Sequence, residues 1–137
     1  MWIFTQYGFF SIVCAYEGRR SNPLPDLVMI RARAKEHLLA LQERFPALQT
    51  LEVLETRNTD YAFRVIAPKS SAVDAFQELL REIDYSNFKD EVIRSPGADL
   101  YHHLLGDVWQ TMLELQTAQR TGSPRIASPT PIHQIPG

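Results

Sequence analysis

The chain has a single cysteine, Cys14, and only six glycines among its 137 residues. One thiol excludes an intramolecular disulfide and permits a reducing compartment. Motifs with an obvious chemistry are missing too. There is no glycine-rich phosphate loop, no paired-cysteine metal motif, no GxSxG elbow and no HExxH helix, which moves the common nucleotide-loop and hydrolase classes out of the front rank. Neither sign of charge dominates. Fourteen Lys and Arg face sixteen Asp and Glu, a formal net charge of -2, so no global field draws the chain to nucleic acid or anionic lipid. Such binding would need a local basic patch. No apolar run approaches the length of a bilayer. The opening "MWIFTQYGFFSIVCAY" lacks a basic leader and is interrupted by Thr5, Gln6 and Ser11, so it is read as structure and not as a signal peptide. A soluble, cytoplasmic protein is expected.

What is present supports one core. The hydrophobic share of 45% over 137 residues is enough for a single domain without metal or disulfide staples. Residues 1–118 are expected to form it. From Thr121 the composition shifts to "TGSPRIASPTPIHQIPG", so 119–137 reads as a proline-rich flexible tail.

Phe9 to Tyr16 is rich in aromatic and β-branched residues and reads as a strand. Met1 to Thr5 is either a strand of its own or the first half of that one, bent at Gly8. Cys14 is expected to be buried and inert in this strand. Glu17 to Asp26 reads as a loop because of its glycine, asparagine and two prolines. Leu27 to Arg33 reads as a second strand, with a long helix from Leu27 as the competing reading. Val28, Ile30 and Ala32 alternate with Leu27, Met29, Arg31 and Arg33. From Ala34 the apolar period lengthens through Leu38, Leu41 and Phe45 to a stop at Pro46, which predicts a helix. Leu51–Thr56 and Tyr61–Ala67 flank "RNTD" as a hairpin. A helix follows from Ser71, with Asp74 completing a capping box and Ala72, Phe76, Leu79 and Ile83 as its buried stripe. After "SPG", Asp99 caps a last helix whose face comprises Tyr101, Leu104, Leu105, Val108, Met112 and Leu115, widened by Trp109 and Leu113.

The order predicts an α+β fold. It is a single, mostly antiparallel sheet of about four strands with two helices on one face, a ferredoxin-like variant of ββαββαα type with an extra C-terminal helix.

Two clusters are candidate sites. Alternation places Arg31, Arg33 and Arg64 on the sheet face away from the helices, where three guanidinium forks could hold phosphate or carboxylate. Tyr61, Phe63 and Val65 are assigned to the core face, which weighs against RNA binding, although Tyr61 could stack at the rim. The plainer reading pairs the arginines with Glu52, Glu55 or Asp60. Leu27, Met29, Leu54 and Ile66 share that face, and a homo-oligomer or protein partner is expected to cover part of it. The second cluster is "IDYSNFKDEV". Asp84, Tyr85, Asn87 and Lys89 could converge as acid, base and orienter, or Ser86 or Asn87 could cap a short helix while Tyr85 and Phe88 plug the core edge. The histidines support no metal: His102 and His103 diverge by about 100° on a helix, and pairing with Asp99 or Asp107 gives too few ligands for zinc. His37 borders an apolar stripe and His133 lies in the tail.

Taken in order, "MWIFTQYGFFSIVCA", "VMIRARAKEHLLAL", "TDYAFRV", "IDYSNFKDEV" and "YHHLLGDVW" resemble the landmarks of a family of short uncharacterised bacterial and phage proteins. The likeness covers Met1 to about Gln116 and omits the tail. It implies no activity, cofactor or partner and lends no catalytic residue. From the residues alone, a non-enzymatic binding or adaptor domain that self-associates through a sheet face is expected, with no cofactor, no metal, no membrane and no nucleic acid. The alternatives are a phosphate- or nucleotide-type anion binder using Arg31, Arg33 and Arg64, and a small metal-independent enzyme centred on Asp84 to Asp90.

Overall fold

Alternating apolar residues build five strands in the computed structural model, which describes residues 1–95 and 97–121. They are β1 (Trp2–Thr5), β2 (Gly8–Tyr16), β3 (Pro23–Ala32), β4 (Leu54–Glu55) and β5 (Phe63–Pro68). They form one sheet in the order β1-β2-β3-β5-β4, antiparallel at every step. The helices are α1 (Lys35–Arg44), α2 (Lys69–Arg81), α3 (Phe88–Ile93) and α4 (Asp99–Arg120). The fold is α+β, as the residue pattern predicts, with five strands in place of about four. β3 and β4 are both antiparallel to β5, which lies between them, so β3-α1-β4 is a split β-α-β unit. Three strands precede α1, a departure from a ferredoxin order.

Two helices cover one sheet face. Leu38 and Leu41 of α1 and Ala72 and Ala75 of α2 meet Phe10, Ile12, Val28, Ile30, Ala32, Val65 and Ala67 in one buried cluster. The change of period at Ala34 is a real boundary, because β3 ends at Ala32 and α1 starts at Lys35. A helix running from Leu27 is excluded.

Several expectations need correction. β3 begins at Pro23, not after Asp26. Prolines hold an extended φ and only lack a donor, and the register jumps from Cys14↔Val28 to Ala15↔Leu24. Residues 25–27 therefore bulge opposite a single step of β2, while Leu27 keeps its pairing with Pro68 of β5. That irregularity also overturns the burial assigned to Cys14, which is exposed at the disturbed end of the strand. The capping box at Ser71 does not form: β5 runs into α2 at Pro68, the helix starts at Lys69, and no side chain caps it. Ile83 lies beyond α2 and is exposed. Asp99 is the first residue of its helix rather than a cap.

The chain divides after Ala98, and α4 belongs to a second unit, described by itself. It runs through Arg120, beyond the boundary expected at residue 118; the predicted tail lies mostly outside the described residues. Leu105 is buried, while Leu100, Leu104, Trp109, Met112 and Leu115 are exposed. Among the described residues no helix is long and apolar enough to cross a membrane.

One polar contact ties α1 to the first hairpin. Phe9 N–H donates to Nδ1 of His37 at 3.3 Å. Burial holds the imidazole pKa below its ordinary 6.5, against the opposing pull of the Glu36 carboxylate. The fold therefore favours neutral His37. Its contribution to stability is full above 6.5 and is lost as pH falls through 6.5 toward the lower folded value. The urea midpoint is expected to drop between about pH 7.5 and about pH 5.5, and to drop less in His37→Asn. An equal drop in both proteins would assign the acid sensitivity to other groups.

Candidate functional site: an arginine and aromatic groove on the open sheet face

The register fixes which residues look away from the helices. Trp2 lies across from Ser11, Phe4 across from Phe9, Ser11 across from Arg31, and Arg31 across from Arg64. Side chains alternate along a strand and paired residues share a face. Trp2, Phe4, Phe9, Ser11, Arg31 and Arg64 therefore share the sheet face away from α1 and α2. Their rings are in contact: Phe4 stacks on Phe9 at 4.5 Å between centroids, and Trp2 meets Phe9 edge-on at 5.9 Å.

Tyr61 joins this face, which corrects its assignment to the core. It precedes β5, so the alternation of Phe63, Val65 and Ala67 does not extend to it. Its ring lies 6.3 Å from Phe9. The Arg31 and Arg33 guanidinium carbons each sit 4.8 Å from its centroid, and Arg33 is also 5.9 Å from Phe9. A cation held over such a ring gains roughly 0.5–1 kcal/mol. Phe63 is on the core face, packed against the buried cluster.

The arginines are positioned by neutral partners. Arg31 Nη2 donates to Ser11 Oγ at 2.7 Å, and Arg33 Nε donates to the Asp60 carbonyl at 3.1 Å. Arg64 donates to Thr56 Oγ1 in the β4–β5 hairpin. None of the three has a carboxylate ion partner among the described residues, where Glu55 pairs with Arg57 instead. The cross-strand pairing expected with Glu52, Glu55 or Asp60 is thus not formed. Among the described residues, two donor-capable side-chain atoms are buried without a hydrogen-bond partner: Nε of Arg31 and the hydroxyl of Tyr61. Tyr61 itself is only 8% exposed.

Arg31, Arg33 and Tyr61 line an open groove of about 500 Å³, together with Trp2, Arg20 and Asp60. Three arginines there face one carboxylate. Arg64, beside Arg31 in the register, does not line it. The structure therefore brings two of the three predicted arginines together with Tyr61, expected only as a stacking residue at the rim, and adds Arg20 and Trp2, which the residue pattern did not assign. The alternation of Trp2 and Phe4 with Ile3 and Thr5 was a usable signal for Trp2. Arg20 carried none, because it is placed by the turn after β2.

The second cluster is arranged differently. Asn87 caps α3, its Oδ1 accepting from the N–H groups of Lys89 and Asp90 at 3.1 and 3.4 Å. Tyr85 packs 6.5 Å from Phe88. Burial, then the carboxylates of Glu91, Asp84 and Glu82, raises its hydroxyl above the ordinary pKa. Asp84, Tyr85 and Asn87 line a shallow recess of about 270 Å³ with Asp90, Glu91 and Arg94, and Lys89 stands outside it. Three of the four polar groups thus share this recess, and Asn87 is committed to the helix terminus. His103 lies 3.9 Å from Asp107 on α4. Among the described residues no three His, Cys, Asp or Glu side chains gather as a metal site.

No protein-family model, curated protein or solved structure matches this chain.

Proposed function

We propose that this protein is a binding module for a ligand bearing phosphate or carboxylate, held in the groove by Arg31 and Arg33. One observation carries the reading: two guanidiniums converge on the Tyr61 ring with no carboxylate within ion-pair distance of either, although Asp60 lines the same groove. Like charges held together repel, and an anion between them relieves the repulsion while accepting from a rigid donor fork. Structural arginines of this kind are ordinarily neutralised within the fold. The unpartnered Nε of Arg31 leaves a further donor unsatisfied. Arg64 is omitted from the site, because it does not line the groove.

Self-association through the same face has less support. Met29 is only 4% exposed, Leu27 and Leu54 are half-buried, and Ile66 alone of the four is exposed.

The test is thermal unfolding with added inorganic pyrophosphate. Saturation at about 100 times Kd stabilises the fold by about 2.7 kcal/mol, a rise in Tm of several degrees. Arg33→Ala, at an exposed position, is expected to remove the rise, whereas Arg64→Ala keeps it. No rise in the parent protein, or the same rise in Arg33→Ala, contradicts the reading.

A further inference from the structure

Trp2 stands out on this face. It is 69% exposed, yet it lines the same groove as the two arginines. An indole left in water forfeits the favourable free energy of its burial. Its ring is not loose: it is braced edge-on by Phe9, which is itself stacked on Phe4. Beyond Phe9 the aromatic row continues to Tyr61, over which Arg31 and Arg33 sit. The groove thus joins an uncovered, braced aromatic surface to a set of unneutralised guanidiniums.

We infer that the ligand of this groove is single-stranded nucleic acid, with a base stacked on Trp2 and the neighbouring backbone phosphate held by Arg31 and Arg33. This rests on the anion-binding reading and narrows it. Inorganic anions use the arginines and leave the indole bare. A single strand uses both, because each nucleotide pairs an aromatic face with a negative charge, and this is how strand-binding grooves gain affinity. A duplex keeps its bases stacked inside and cannot offer one to Trp2. The expectation against nucleic acid rested on the overall charge and on Tyr61 and Phe63 facing the core, where Phe63 remains. The charge is locally reversed in the groove, and Tyr61 lies on the face away from α1 and α2. Tyr61 is too buried to be a platform, so its part is to hold the arginines while Trp2 takes the base.

The experiment measures fluorescence anisotropy of labelled oligo-U and oligo-dT of roughly 12 nucleotides, alone and annealed to their complements, with the full chain. Single strands are expected to bind at least about ten-fold more tightly than the duplexes. Trp2→Ala weakens strand binding about ten-fold or more, Trp2→Phe recovers most of it, and both keep the rise in Tm with pyrophosphate. Arg33→Ala weakens strand and pyrophosphate alike, and reduces the slope of log K against log salt by about one. Strand binding that is no tighter than duplex binding, or unchanged in Trp2→Ala, overturns the inference. So does a single nucleotide that binds as tightly as the strand. If pyrophosphate stabilises the protein but no strand binds, the nucleic-acid inference falls and the anion site stands. If neither binds, both fall.

Discussion

Gly8→Ala is expected to cost the fold about 3 kcal/mol or more and to lower Tm by about 10 °C or more. Gly8 opens β2 at φ +149°, a region that residues with a Cβ rarely enter. A Cβ there would lie 2.2 Å from Cγ of His37, well inside van der Waals contact. The imidazole cannot simply rotate away, because Nδ1 accepts from the Phe9 N–H next to the clash. Relief requires moving α1 away from the sheet or breaking that hydrogen bond. The turn it closes is also fixed: Thr5 Oγ1 accepts from the N–H groups of Tyr7 and Gly8 and donates to the Gly8 carbonyl. Gly18→Ala is the control. Gly18 has φ +69° with open space around the would-be Cβ, so it pays only the left-handed backbone term of about 1–2 kcal/mol. Equal losses in the two variants would show that close approach to His37 contributes nothing.

The second large effect is at Gln42. This buried amide sits on α1, and its Nε2 donates to the carbonyls of Leu48 at 2.9 Å and Leu51 at 2.8 Å. It pins the segment after Phe45 under the core, where Leu48 is fully buried. Gln42→Leu removes both donors and is expected to cost about 2 kcal/mol. Gln42→Glu is expected to cost about 3 kcal/mol or more, because it turns a donor toward two oxygens into a buried carboxylate. Acidification restores one O–H donor to that carboxyl. Burial raises the folded pKa of that carboxyl, so the deficit of Gln42→Glu against the parent should shrink as pH falls from this raised value toward the ordinary Glu pKa of about 4.3, while that of Gln42→Leu stays constant. Urea unfolding of the three proteins at two pH values checks both signs.

The elements fixed by local chemistry were legible in the sequence. The lengthened period at Leu38, Leu41 and Phe45 marks α1 and Pro46 stops it; the hairpin of β4 and β5 was legible too, but its connection runs from Thr56 to Ala62 rather than over "RNTD" alone, with Asn58 in a left-handed conformation that asparagine tolerates. What escaped depends on register between distant segments. Alternation within one strand predicts that Arg31 opposes Ile30, but not that Phe9, Ser11 and Trp2 lie beside Arg31; that follows from the pairing of β1 with β2 and β2 with β3. Tyr61 was misplaced because it follows the hairpin turn before the alternation of β5 begins. Cys14 was misplaced because a three-residue bulge in the facing strand cannot be read from β2 itself. In "IDYSNFKDEV" the capping chemistry of Asn87 was legible, since its short side chain suits a helix start. The recess beside it follows from where the short helix α3 is held.

Arg31 and Arg33 are proposed to form an anion site with Tyr61. The most direct measurement follows the guanidinium Nε–Hε signals by proton–nitrogen NMR while pyrophosphate is added. The account predicts saturable shifts of the Arg31 and Arg33 signals at one common Kd, with Arg57 and Arg94, which are paired with Glu55 and Glu91, left in place. Shifts that are absent, or spread evenly over all the arginines without saturation, would contradict it.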